Sequence, residues 1–262
     1  MEHTYWQRQS ADKPLFPDVL WAKPEQRSHA GHLGIVGGNK LGFAGVAEAY
    51  SVALQTGAGK ATVLLPDVLK RTIPTTLLDT LFGPSTPSGG LSKDALPELR
   101  ALGHESTSLL FIGDAGRNSE TAVLYEQFLA EYNGRVTLSR DAIDLVKNNS
   151  KLLIERPDTL LVASFAQVQK LFQAVYYPKM LTFSMQLMQL VEALHKFTIT
   201  YPVTILTLHK DTIIIAHHGS IVTQAWENPM AIWRGSVATR AATWWLWNNE
   251  QPLKAAAASL VD

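Results

Sequence analysis

A chain of 262 residues in which 46% of side chains are apolar can bury one large core, so a single main domain is expected. Lysine plus arginine and aspartate plus glutamate number 23 each, which gives no global field toward nucleic acid or an anionic membrane. The absence of cysteine excludes disulfides, thiolate nucleophiles and Cys-ligated metal; with no apolar leader core and no run of about 18 apolar residues, a soluble cytoplasmic protein is expected.

Residues 1–28 are polar and interrupted by Pro14, Pro17 and Pro24, which predicts an arm anchored by Trp6 and Trp21 on a domain spanning 29–262. Leu33 to Val36 is a short apolar run ending at Gly37-Gly38, as a buried strand ends at a turn needing positive φ. Val46, Ala49 and Ala53 recur at helical spacing, Gly57 and Gly59 stop that helix, and Ala61 to Leu65 is a second strand. Strand, glycine turn, helix and strand make a βαβ unit, whose turn lies where α/β proteins bind ligands.

Val68 to Leu81 predicts a helix broken at Pro74, and Gly83 to Gly90 a loop that is a candidate lid or surface excursion. A helix over Lys93 to Leu102 precedes a third strand, Ser108 to Ile112. Asn118 or Ser119 caps a helix through Tyr132. Strands over Arg135 to Leu138 and Thr159 to Ala163 follow, with short helices near Asp141 to Val146 and over Phe165 to Phe172. Leu181, Met185, Met188, Val191 and Leu194 step by three or four, predicting one amphipathic helix to about Lys196. Val203 to Leu208, Thr212 to His217 and Ser220 to Gln224 are consecutive strands, the last two joined at His218-Gly219. A helix over Trp233 to Trp247 and an alanine-rich tail, Lys254 to Leu260, close the chain. Trp244, Trp245 and Trp247 cannot all face inward from one simple helix face, so one of them is expected at a contact between copies.

Generic phosphate motifs fail. Gly59-Lys60 leads into a strand instead of a helix, and Gly37, Gly38, Gly42 and Gly45 lack dinucleotide-fingerprint spacing. Asp67, after the second strand, is the one candidate ribose acid. His29 with His32 and His217 with His218 have no carboxylate at ligand spacing, so no metal site is expected.

The wording of residues 29–66 is specific: His29, Gly31, Val36, Gly37, Gly38, Asn39, Gly45, Ala47, Ala49, Ala53, Thr56, Gly57, Ala58, Gly59, Thr62, Val63 and Pro66 stand in a recognisable phrase. It resembles that of the ADP/ATP-dependent NAD(P)H-hydrate dehydratases of the ribokinase-like superfamily. The resemblance implies a three-layer α/β/α fold with a mostly parallel sheet and an antiparallel β edge near the C-terminus. It also implies ADP or ATP with magnesium and NAD(P)H or its hydrate as ligands, and an assembly of several copies. Substrate would lie at Gly37, Gly38, Asn39 and Gly45; nucleotide or phosphate would lie near Gly113, Asp141, Thr212, Arg234, Gly235 and Ser236.

The catalytic phrases depart from that pattern. The family's Met-Ala is followed by a glycine-rich loop ending in the aspartate that takes the hydroxyl proton; here Met230-Ala231 leads to Ile232, Trp233, Arg234, Gly235, Ser236 and Val237, with Val237 at the aspartate position. No acid occurs between Glu227 and Glu250. A Gly-Pro-Gly turn is replaced by Gly113, Asp114, Ala115 and Gly116, and Ser139, Arg140 and Asp141 keep only the second acid of a paired-aspartate phrase. Phe165 and Val168 stand for a histidine and a glutamate, and Leu208 for a lysine. The leading expectation is a catalytically degenerate homologue with a binding, regulatory or scaffold role. The alternatives are a divergent enzyme recruiting Asp141, Arg234 or Lys210, and a dinucleotide-binding protein without phosphoryl transfer.

Overall fold

The computed structural model describes residues 4–74 and 77–261. Its strands are β1 (Trp6–Gln9), β2 (His32–Gly37), β3 (Lys60–Pro66), β4 (Thr80–Gly83), β5 (Ser108–Gly113), β6 (Arg135–Ser139), β7 (Thr159–Ser164), β8 (Thr204–His209), β9 (Thr212–His217) and β10 (Ser220–Ala225). The α-helices are α1 (Pro17–Leu20), α2 (Ala44–Thr56), α3 (Leu96–Glu105), α4 (Ser119–Glu131), α5 (Asp141–Leu145), α6 (Lys151–Ile154), α7 (Phe165–Ala174), α8 (Leu187–Thr200), α9 (Pro229–Arg234), α10 (Ser236–Trp247) and α11 (Pro252–Ala258). The strands form one sheet in the order β1-β10-β9-β8-β7-β6-β5-β2-β3-β4. Every neighbouring pair is parallel except β10 with β9 and β9 with β8, so the antiparallel edge lies near the C-terminus, as expected.

Two apolar layers sandwich the sheet because the central strands are buried on both faces and alternate their side chains between them. Leu109 and Phe111 of β5 join one cluster with Leu99, Phe128 and Phe197 from α3, α4 and α8. Leu110 and Ile112 of the same strand join the other, with Val46, Ala241 and Trp245 from α2 and α10. Three layers follow directly from that alternation.

Several elements differ from expectation. Trp6–Gln9 is an edge strand in register with Ile221 to Gln224, and the Trp6 indole donates to the Thr223 hydroxyl at 2.9 Å. Trp21 is 89% exposed and so is not the expected anchor; Val19, buried on α1, fills that role. Where a helix was expected over Val68 to Leu81, only a short 3₁₀ turn, Asp67–Leu69, forms before β4, which pairs with β3. Pro74 cannot continue a helix, and part of this stretch lies outside the described residues. The loop expected as a lid is tied down: the Lys40 amide donates to the Gly89 carbonyl at 2.9 Å, and the Asn118 side chain reaches Thr86 and Ser88.

The amphipathic stretch begins its helix only at Leu187, after a capping box between Gln186 and Gln189. Leu181 and Met185 are buried all the same, in irregular backbone held by the His209 ring, 3.0 Å from the Met185 carbonyl. The expected helix over Trp233 to Trp247 is two helices, broken at Gly235 with φ +97°. The three tryptophans pack within the chain: Trp244 and Trp245 are buried because α10 lies between the sheet and the flanking helices, and Trp247 donates to the Ala30 carbonyl at 3.0 Å. The expected contact between copies therefore finds no support in these side chains.

At the opposite end of the sheet from the strand C-termini, His217 closes β9, with Nδ1 2.9 Å from the Thr204 hydroxyl and its ring edge-on to His218. Burial, followed by the neighbouring His218 charge, lowers its pKa to about 4. The unfolded chain therefore takes up a proton between pH 6.5 and about 4 that the folded chain refuses. Stability is expected to fall by roughly 2–3 kcal/mol as pH drops through this window and to level off below it. Urea titrations at several pH values check this, and His217→Gln should flatten the curve; an unchanged slope in that variant would assign the effect elsewhere.

Candidate functional site

The C-terminal ends of β2, β5, β6 and β7 meet at one edge of the sheet, the place where parallel α/β folds bind ligands. Gly37 faces Gly113 across the β2–β5 pair, and the register shifts there by one residue. A Cβ at Gly37 would run into the Gly113 carbonyl oxygen, so two backbones approach at a distance only glycine allows. The Gly38 amide, at φ +79°, donates to that carbonyl at 2.9 Å. Asn39 continues the closure: its side-chain amide donates to the Asp114 carbonyl, and its Oδ1 accepts from Leu41 N at 2.7 Å.

Two residues that sequence reasoning left unassigned occupy the centre. Asp114, at φ +56°, accepts the Gly45 amide on Oδ2 at 2.6 Å and so satisfies a donor in the first turn of α2. Its Oδ1 accepts from Arg140 at 2.5 Å. Arg140, at φ +57°, reaches from the end of β6 across β5 to α2, and its Nη1 lies where a Cβ on Gly45 would stand. That Nη1 is buried without a partner. The Arg140 stem also passes beneath Gly235, with Cδ 3.7 Å from where a Cβ on that residue would lie.

The structure gathers some predicted residues and separates others. Gly37, Gly38, Asn39, Gly45, Gly113, Asp141 and Gly235 surround the Asp114–Arg140 pair or its supporting turns. Asp141 accepts the Gly116 amide at 3.0 Å, and burial raises its pKa against the lowering effect of that bond. Tyr125, fully buried nearby, has its hydroxyl pushed above the ordinary tyrosine range by burial and then by the Asp141 charge. Thr212 instead opens β9, bonding to Asp211, and Lys210 in the turn before it is exposed. Arg234 ends α9 in solvent, and Ser236 turns its hydroxyl back to the Ala231 carbonyl at 2.9 Å.

The stretch before α10 is itself helical. Gly235 N donates to the Ile232 carbonyl at 3.2 Å as the cap of α9, so a helical turn stands here instead of an open loop. Val237, in the first turn of α10, is 2% exposed within the apolar layer. Among the described residues no group of three or more His, Asp or Glu side chains is placed to hold a metal ion, and no helix is long and apolar enough to cross a membrane.

The fold is ribokinase-like. A ribokinase-like superfamily protein from Enterococcus faecalis superposes with a TM-score of 0.73 at 14% identity, covering 100% of this chain and 87% of its own. Within that class, the ADP/ATP-dependent NAD(P)H-hydrate dehydratase from Bacillus subtilis, co-crystallized with ATP and Mg²⁺, superposes at 0.63 with 11% identity, covering 95% and 86%. In sequence, the chain is similar to a bifunctional NAD(P)H-hydrate repair enzyme from Moorella thermoacetica, 29% identical over 147 residues. That match spans 52% of this chain and 27% of the relative's length. No protein-family model matches the chain.

Proposed function

We propose that this protein is an NAD(P)H-hydrate dehydratase-like chain that has given up phosphoryl transfer and acts by binding, as a regulatory or scaffold protein. The observation that carries the proposal is Val237, buried in the apolar layer where the resemblance calls for an ionised aspartate. A general base supplies about a hundredfold to ten-thousandfold in rate, and anion-hole donors a comparable factor, so a chain lacking both retains little turnover. The helical turn of α9 supports the same reading, because the Gly235 amide is committed to the Ile232 carbonyl and Trp233 and Arg234 fill positions where the resemblance calls for glycine.

The residues at the strand ends fit ATP with magnesium poorly. Asp114 is engaged by Arg140 and Gly45, Asp141 by Gly116, and Asp144 by Gln167 and Lys170. A divergent enzyme using Asp141 draws support from the raised pKa of that carboxyl, which suits an acid or base working nearer neutrality. Its Oδ2 already serves the Gly116 turn, while its Oδ1 is buried without a partner and is the oxygen such an enzyme would have to use.

The purified chain, incubated with hydrated NADH and either ATP or ADP, is expected to restore NADH no faster than a protein-free control, as read from absorbance. Restoration abolished by a substitution at Gly235 or Asp141 would overturn the proposal in favour of the divergent enzyme.

A further inference from the structure

An open cavity of about 350 Å³ lies between the ends of β6 and β7 and the short helix α9. That is within the ~300–1,000 Å³ typical of small-molecule sites. Val162, Ala166, Ile232 and Trp233 supply apolar wall. Ser139 also lines it; this residue is 1% exposed, and its hydroxyl has no hydrogen-bond partner. An unmet buried hydroxyl costs about 1–3 kcal/mol, so the position favours a ligand that supplies the missing bond.

The surrounding charge argues against phosphate. Arg140 is paired with Asp114, and Lys170 with Asp144 at 3.3 Å, while Asp141 adds a further carboxylate. Two cations against three carboxylates leave a net charge of −1. The start of α7, a natural phosphate cradle, is closed by a capping box: Ser164 Oγ accepts the Gln167 amide at 3.2 Å, and Gln167 Oε1 accepts the Ser164 amide at 2.9 Å. Trp233, 56% exposed, offers a ring on which a flat group can stack.

The geometry points to a site for a non-phosphorylated ring compound of nucleoside size, uncharged or cationic, stacked on Trp233 and hydrogen-bonded by Ser139. It rests on the non-catalytic reading above and names the ligand class of that cleft. Calorimetric titration of the full chain with adenosine, AMP and ATP, without added metal, tests it. Adenosine is expected to bind, with ATP weaker by about tenfold because its phosphates enter a negative field. Trp233→Ala should weaken adenosine by about tenfold, and Ser139→Ala by about threefold, with thermal midpoints close to that of the unchanged chain. Tighter binding of ATP than of adenosine, no adenosine binding at about 10 mM, or binding unaltered by both substitutions would overturn the site. The hydrate assay reports separately: turnover there sinks the non-catalytic reading even if adenosine binds, and absent turnover with no adenosine binding sinks only the site.

Discussion

Asp114→Ala is expected to destabilise the folded protein by about 2–4 kcal/mol, and Arg140→Gly by about 1 kcal/mol or less, although each breaks the same ion pair. Removing the acid leaves the Arg140 guanidinium, with a side chain only 27% exposed, facing the first turn of α2 without its ion-pair partner, and only the more distant Asp141 charge remains. It also strips the Gly45 amide of its acceptor. Removing the arginine does the opposite on most counts. Asp114 keeps the Gly45 bond and the favourable helix N-terminus, the unpartnered Nη1 disappears, and glycine adopts φ +57° without the ~1–3 kcal/mol of strain a side chain carries there. The double variant should therefore be more stable than Asp114→Ala alone. Urea unfolding of the three variants gives the comparison, and equal losses for the two single substitutions would refute this account of the pair.

The same pair marks the limit of what could be read from the sequence. The βαβ unit was legible because its apolar runs are punctuated by glycines that the geometry requires, as the close approach of Gly37 to Gly113 shows. The antiparallel edge was legible from consecutive β patterns without intervening helix. Arg140 and Asp114 were not, because an ion pair spanning 26 residues leaves no periodicity, and an arginine at positive φ is not predicted by residue type. Leu181 and Met185 show a different limit. Their helical spacing was real burial, but a buried position is compatible with irregular backbone when a side chain such as His209 holds the carbonyls. The break at Gly235 was hidden because residues on both sides form helix readily, and a lone glycine reads as tolerated helix interior until its φ is known.

Val237→Asp, which puts the expected acid back, is predicted to lower stability by about 2–3 kcal/mol at pH 7 without producing dehydratase turnover. The position is 2% exposed inside the apolar layer, so the new carboxylate would lose its water. The first turn of α10 returns only about 0.3–1 kcal/mol through the helix dipole. Burial without a partner raises the carboxyl's folded-state pKa above its unfolded value, so the folded state holds the proton to higher pH. The penalty is then small near pH 4 and grows as pH rises toward neutrality, opposite in sign to the His217 effect. No turnover is expected because Trp233 and Arg234 still stand where glycines are needed, and the Gly235 amide still caps α9. Equal stability of the variant and the unchanged chain at pH 7 would mean that the start of α10 has room and polarity for a charged carboxylate. Burial of Val237 would then no longer argue against a carboxylate there, and the non-catalytic reading would rest on Trp233, Arg234 and the α9 turn alone.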